Sequence, residues 1–270
     1  AVITNIGSDH LEIIGPTLAD IALEKAGIIS EDTHVICGET SPDLVEIIAA
    51  TDFRERWHRN SDFDASEDRL AVGGRLVDLK TPYGVHEEIF LPVNGAHQSE
   101  NASAAVAAAE AFFGRKLDAE VITEALAHLT LPARFEIVQR QPTIIIDGAH
   151  NPPAARVVAE TLFQDFSIEE QPVLVLGANR PRDIQKLLEA LNVKEFLKVI
   201  ATAADWPRAV PADELATAAE AFGVAVEVIP QVPEAINRAI EIAGETGIVL
   251  VTGSLYVASE ARSQLVESSR

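Results

Sequence analysis

Three short polar clusters hold the side chains best able to do chemistry. The first is Thr4-Asn5-Ile6-Gly7-Ser8-Asp9-His10, which sets a carboxylate and an imidazole just beyond a β-branched run. Glu24 and Lys25 follow it in a stretch of helical periodicity. The second is Asp147-Gly148-Ala149-His150-Asn151-Pro152, three polar side chains at a strand-to-helix turn. The third is Thr252-Gly253-Ser254-Leu255-Tyr256, again a strand, a glycine and a helix start. Each sits just past the carboxyl end of an expected strand, where open α/β sheets hold their ligands. Amides at a helix start also bind anions. Plainer readings stand beside these: a polar loop with a surface lysine, a turn capped by Asn151, and a helix capped by Ser254.

Common phosphate and nucleophile motifs are absent. The sequence has no Gly-Lys pair, so no G-x-x-x-x-G-K-[ST] loop, and it has no G-x-G-x-x-G. His10 and Glu12 form H-x-E without the P-C-x-x-C half of a deaminase zinc site. No G-x-S-x-G nucleophile elbow occurs.

The elements that must position these clusters read as two α/β domains. Ala1 to Ile6 reads as a buried strand, residues 17–29 as a helix with Thr17 and Asp20 at capping-box spacing, 34–37 as a strand and 42–50 as a helix. From Trp57 to Pro92 the pieces are short and polar, with a hairpin signal at Gly73-Gly74, and they suggest a small meander. Helices are expected over 97–113 and 118–129. After a seam at Thr130-Leu131-Pro132-Ala133, strands are expected over 136–140, 143–147, 173–177, 197–202, 225–229 and 248–252. Helices fall between or after them, over 153–163, 183–190, 212–221, 234–243 and 255–266. That alternation implies βαβ units and a mostly parallel sheet.

Composition narrows the partners. The 270 residues carry a formal net charge of −21, with 47% hydrophobic residues. Such an acidic surface argues against nucleic acid and anionic membranes. No apolar run is long enough to span a bilayer. The lone Cys37 cannot form an internal disulfide or a cysteine zinc site. A soluble cytoplasmic protein is expected. The chain contains no methionine and opens abruptly on a strand, so a piece of a longer protein is expected.

Taken together, the clusters resemble the Mur ligase superfamily, and within it the folylpolyglutamate synthase and dihydrofolate synthase branch. The matching segments run in order: Thr4 to His10, Glu24-Lys25-Ala26-Gly27-Ile28, Gly95 to Ala102, Leu131-Pro132-Ala133-Arg134-Phe135-Glu136, Asp147 to Pro152, and Thr252-Gly253-Ser254. The resemblance implies an α/β fold, with part of a central ATP-binding domain over 1–131 and a Rossmann-like C-terminal ligase domain over 132–270. It implies an ATP-dependent, amide-forming addition of glutamate to folate through an acyl phosphate. ATP and Mg²⁺ are the implied cofactors, because donor and acceptor are both anionic. On this basis His10 is a Mg²⁺ ligand, and Lys25 matches a lysine carried as a carbamate that supports a second metal. Asn101 matches the residue that hydrogen-bonds adenine, Arg134 would reach the phosphates, and Asp147 would hold the ribose or position the nucleotide. His150 would stand by the reacting phosphate and the incoming amino acid, and Ser254 would help bind the glutamate.

Departures from the family pattern are also visible. Ala133 stands where the family commonly has glycine, Pro153 where many members have histidine, and Arg182 where a lysine is usual. Arg182 would still meet a substrate carboxylate, with fork rather than point-charge geometry. The P-loop and an acidic Mg²⁺ ligand of the family would precede Ala1. The chain is therefore expected to lack ligase activity alone and to need that N-terminal part as a partner, the whole being a monomer. Catalytic groups divided across the seam imply domain closure. Two alternatives remain at this point: another Mur ligase acting on a peptidoglycan precursor, and a non-catalytic nucleotide- or folate-binding relative.

Overall fold

The computed structural model describes residues 1–8, 14–166, 168–181 and 183–267, except for the side chain of residue 267. His10 and Arg182 therefore lie outside the described residues. The chain divides into two compact units, residues 1–130 and 131–270.

The first unit holds two sheets. Strands β1 (Val2–Ile3), β2 (His34–Cys37) and β3 (Glu55–His58) pair in parallel in that order. Helices α1 (Leu18–Ala26) and α2 (Pro42–Ala49) share one core cluster with β1 and β2, where Ile21, Ala22, Leu44 and Ile48 meet Ile3, Val35 and Cys37. Helix α3 (Ala96–Phe113) joins a second cluster, setting Ala104, Ala107 and Ala111 against Ile36, Trp57 and Phe63. Its small side chains let the helix approach the sheet closely. The expected capping box opens α1: Thr17 Oγ1 accepts from Asp20 N at 3.2 Å, and Asp20 Oδ2 accepts from Thr17 N at 3.0 Å. Strands β4 (Asp64–Ala71), β5 (Gly74–Thr81) and β6 (Gly84–Leu91) form a separate antiparallel sheet, with the turn at Val72-Gly73. One part of the expected meander belongs elsewhere, since Trp57 lies in β3 and pairs with β2. Its flanking charges hid that strand, because only Trp57 in it is buried. Helix α4 (Ala119–Ala127) follows α3.

The second unit is an α/β layer with a six-stranded sheet. Its strands are β7 (Glu136–Arg140), β8 (Thr143–Ile146), β9 (Val173–Leu176), β10 (Lys198–Ala201), β11 (Val226–Val228) and β12 (Ile248–Thr252). Their order is β11-β10-β9-β12-β8-β7, parallel throughout except for the β7–β8 pair. The expected mostly parallel sheet is therefore present. Alternate residues serve the two faces, as the period of a strand requires. Ile145, Leu174 and Leu250 meet α5 (Pro152–Asp165), α6 (Ile184–Ala190) and α7 (Ala212–Glu220). Ile144, Val173 and Val249 meet α8 (Val232–Ala243) and α9 (Leu255–Glu267). Strands buried on both faces read as unbroken apolar runs, which is why β8, β9 and β12 were easy to find. Among the described residues, no helix is long and apolar enough to cross a membrane.

Candidate functional site

In the second unit the candidate residues gather at the carboxyl ends of β8, β9 and β12. Asp147 follows β8 directly and is 7% exposed. Its Oδ2 accepts from Phe135 N and its Oδ1 from Ala149 N, each at 2.7 Å. The carboxylate thereby clamps the turn after β8 to the segment carrying Arg134. Burial pushes the Asp147 carboxyl up to about 6; the two amide donors, then Arg134 and His150, act in the opposite direction. His150 Nδ1 lies 3.0 Å from the Gly148 carbonyl. A carbonyl only accepts, so Nδ1 carries the proton and Nε2 is the basic nitrogen of the neutral ring. Asn151 caps α5, accepting from Ala154 N at 2.9 Å, so the plainer reading holds for that residue.

Arg134 is exposed and is flanked by two residues in the left-handed region, Ala133 at φ 53° and Phe135 at φ 48°. That conformation costs a non-glycine residue roughly 1 kcal/mol and marks a turn held by its surroundings. It also gives a physical reason why glycine suits position 133. Glu136 supports the turn, its Oε2 accepting from Ala133 N at 2.9 Å while Arg262 pairs with the same carboxylate. Gly148 is needed beside it. A Cβ there would lie 2.9 Å from Arg134 Nη1 and 2.3 Å from Leu255 Cδ2.

Ser254 is fully buried and stands at the start of α9. Its Oγ accepts from Tyr256 N at 3.1 Å, a capping bond, and from Asn179 Nδ2 at 2.8 Å. Gly253 lets β12 reach this point at φ +99°, where a Cβ would lie 2.4 Å from the Gly177 carbonyl oxygen. Gly253 N also donates to Ala149 O at 3.0 Å, tying the third cluster to the second. Asn179 is a residue that sequence reasoning passed over. Its loop was singled out only for Arg182.

In the first unit, residues 4–8 continue from β1 and are fixed by Glu39, which is 6% exposed. Glu39 accepts from Ile6 N at 2.7 Å, Thr40 N at 2.8 Å and Ser41 N at 2.7 Å. The segment leading toward His10 is thus pinned to the end of β2. Lys25 lies in the last turn of α1, exposed, and no carboxylate pairs with it among the described residues. Asn101 is exposed on α3, where its Nδ2 donates to Gln98 Oε1 at 3.1 Å. Among the described residues, no group of three or more His, Cys, Asp or Glu side chains could hold a metal ion.

Two family descriptions cover most of this arrangement. The Mur ligase middle domain matches residues 1–109, and the Mur ligase glutamate ligase domain matches residues 133–255, which include Arg134, Asp147, His150 and Ser254. The chain belongs to the Mur ligase family. The chain is 36% identical to the dihydrofolate synthase/folylpolyglutamate synthase of Mycobacterium tuberculosis, over 97% of the chain and 59% of the relative. It is 33% identical to that of Bacillus subtilis, over 98% of the chain and 62% of the relative. The Mycobacterium tuberculosis folylpolyglutamate synthase solved with ADP superposes with a TM-score of 0.91 at 35% identity, covering 98% of the chain and 62% of that structure. The chain therefore spans about 60% of the length of these relatives.

Proposed function

We propose that the protein is an ATP-dependent ligase that adds glutamate to a folate through an acyl phosphate. One observation carries this reading: the 36% identity to a dihydrofolate synthase/folylpolyglutamate synthase extends over 97% of the chain. ATP would phosphorylate the folate carboxylate, and the amine of glutamate would displace the phosphate. Residues 1–131 would belong to the central domain and 132–270 to the C-terminal ligase domain. The N-terminal part of the family's central domain would complete the machinery, and the complete enzyme would work as a cytoplasmic monomer.

Each assigned role has a chemical basis. Asn101 suits an adenine edge because one amide offers both a donor and an acceptor. Arg134, exposed on its strained turn, supplies a fixed cation for phosphate oxygens. Asp147 holds that turn with both carboxylate oxygens and keeps lone pairs for ribose hydroxyls. His150, with its proton held on Nδ1, presents Nε2 as the nitrogen able to take a proton from the attacking amine. Ser254 and Arg182 would serve the glutamate. His10 would ligate Mg²⁺, a neutral imidazole being a suitable donor. Mg²⁺, when bound, screens the negative charge of phosphate donor and acyl acceptor. Lys25, exposed on the last turn of α1, would accept the carbamate in its neutral form.

The test uses the full-length protein with ATP, L-glutamate and either a pteroyl-glutamate or a UDP-linked muramoyl peptide. Extension of the folate supports the proposal. Extension of the muramoyl peptide alone assigns the protein to cell-wall precursors. Binding of either acceptor without turnover makes it a non-catalytic relative.

A further inference from the structure

The turn that carries Arg134 is held from outside. Ala133 and Phe135, on either side of it, are in the left-handed region, a strained conformation that persists only where the surroundings fix it. On one side the buried Asp147 carboxylate accepts from Phe135 N at 2.7 Å. On the other, Glu136 Oε2 accepts from Ala133 N at 2.9 Å. The Ala133 carbonyl in turn accepts from Gly148 N at 2.9 Å and from Arg134 Nη1 at 3.2 Å, so the residue that Glu136 fixes also anchors the guanidinium. The two carboxylates differ in support. Asp147 is enclosed, whereas Glu136 is only half-buried and opens β7, an edge strand. A glutamate gives up several rotamers to make one such bond. Arg262 holds it in the required one. It stands two turns into α9, 126 positions along the chain, with Nε 3.0 Å from Glu136 Oε1 and 2.9 Å from Oε2. An ion pair as exposed as this one adds little to stability. Its effect lies in where it puts the carboxylate.

We propose that Arg262 is a positioning residue for nucleotide binding: through Glu136 and Ala133 it sets where the Arg134 guanidinium stands. A guanidinium fork recognises phosphate oxygens by direction as well as by charge. Fixing that direction in the folded protein spares the cost of ordering the side chain when the nucleotide binds. Arg262 contributes no charge to the phosphates in this arrangement, because it is spent on Glu136. The helix that supplies it begins beside Ser254, so α9 braces the third cluster at its first turn and the Arg134 turn two turns later. This inference rests on reading Arg134 as a ligand of ATP phosphates, and adds to it the residue that holds Arg134 in place.

The test measures Kd for ATP with Mg²⁺, by isothermal titration, in the full-length protein and in Arg262→Met, Glu136→Ala and Arg134→Ala, singly and in pairs. Arg262→Met keeps the apolar stem of the side chain and removes its charge. It should raise Kd about fivefold, the scale of one hydrogen bond. Glu136→Ala should raise it at least as much, and the two together no more than Glu136→Ala alone, because both act through one carboxylate. On the Arg134→Ala background, Arg262→Met should add nothing. A general loosening of the fold would add its effect on every background. An unchanged Kd in Arg262→Met overturns the proposal, and so does an effect that adds in full to that of Glu136→Ala. If Arg134→Ala abolishes binding, the Arg262 and Glu136 pair alone decides. If Arg134→Ala binds ATP as the parent does, or the parent binds none, it is the phosphate-ligand reading of Arg134 that fails.

Discussion

At the scale of single residues, the candidate site is built from polar groups that hold the fold and that the proposal also gives a chemical role. Asp147 is the clearest case. Its native carboxyl titrates at about 6, against 3.8 when unfolded, because burial disfavours its charge. The folded state therefore binds that proton more tightly. The contribution to stability is full below pH 3.8 and is lost as pH rises through about 6, a change of about 3 kcal/mol. Asp147→Asn removes the titration. Urea denaturation should show the parent losing stability relative to this variant between those pH values, and a constant difference would contradict the assignment. His150 tests chemistry rather than folding. His150→Ala should lower kcat by about 10²–10⁴ in the full-length protein, the range for a lost proton-transfer group, with little change in melting temperature. A loss of tenfold or less would remove it from proton transfer. The types of these residues were legible in the sequence, since Asp147 and His150 sit in one compact turn. The Asn179–Ser254 and Glu39–Ile6 contacts were not, because they join positions 75 and 33 residues apart and leave no local pattern.

At the scale of elements, buried parallel strands and capped helices were easiest to read. Leu174 and Val175 in β9, or Leu250 and Val251 in β12, are apolar on both faces and bounded by turns. The antiparallel sheet was harder, because exposed charges interrupt its strands, Glu67 and Arg69 in β4 and Glu87 and Glu88 in β6. What fastens that sheet is a buried polar cluster. Glu110 of α3, fully buried, pairs with His86 Nε2 at 2.9 Å and accepts from Leu117 N at 2.8 Å, and the Thr81 hydroxyl also donates to it. Its donors come from β5, from β6 and from the segment after α3. Glu110→Ala would strand these donors without an acceptor, and should cost the first unit about 3–5 kcal/mol. Chemical denaturation of the parent and the variant checks this, and a cost below 1 kcal/mol would show that the cluster is dispensable. Asn151→Ala, which removes the cap of α5, should cost about 1 kcal/mol or more.

At the scale of the whole molecule, each unit has core clusters of its own. The second unit clothes both faces of its sheet with helices, the arrangement of an independently stable α/β layer. Residues 131–270 expressed alone should therefore unfold in one cooperative thermal transition, and a broad, non-cooperative melt would contradict this. The net charge of −21 first served to exclude polyanionic partners. For a ligase of anionic substrates it gains a second meaning: cations such as Arg134 must act locally against the general field. Full-length protein given ATP, L-glutamate and a pteroyl-glutamate should yield, by mass spectrometry, folate one glutamyl residue heavier, with one ADP and one phosphate released for each bond. ATP-dependent extension of a UDP-muramoyl peptide, with the folate unchanged, would contradict it.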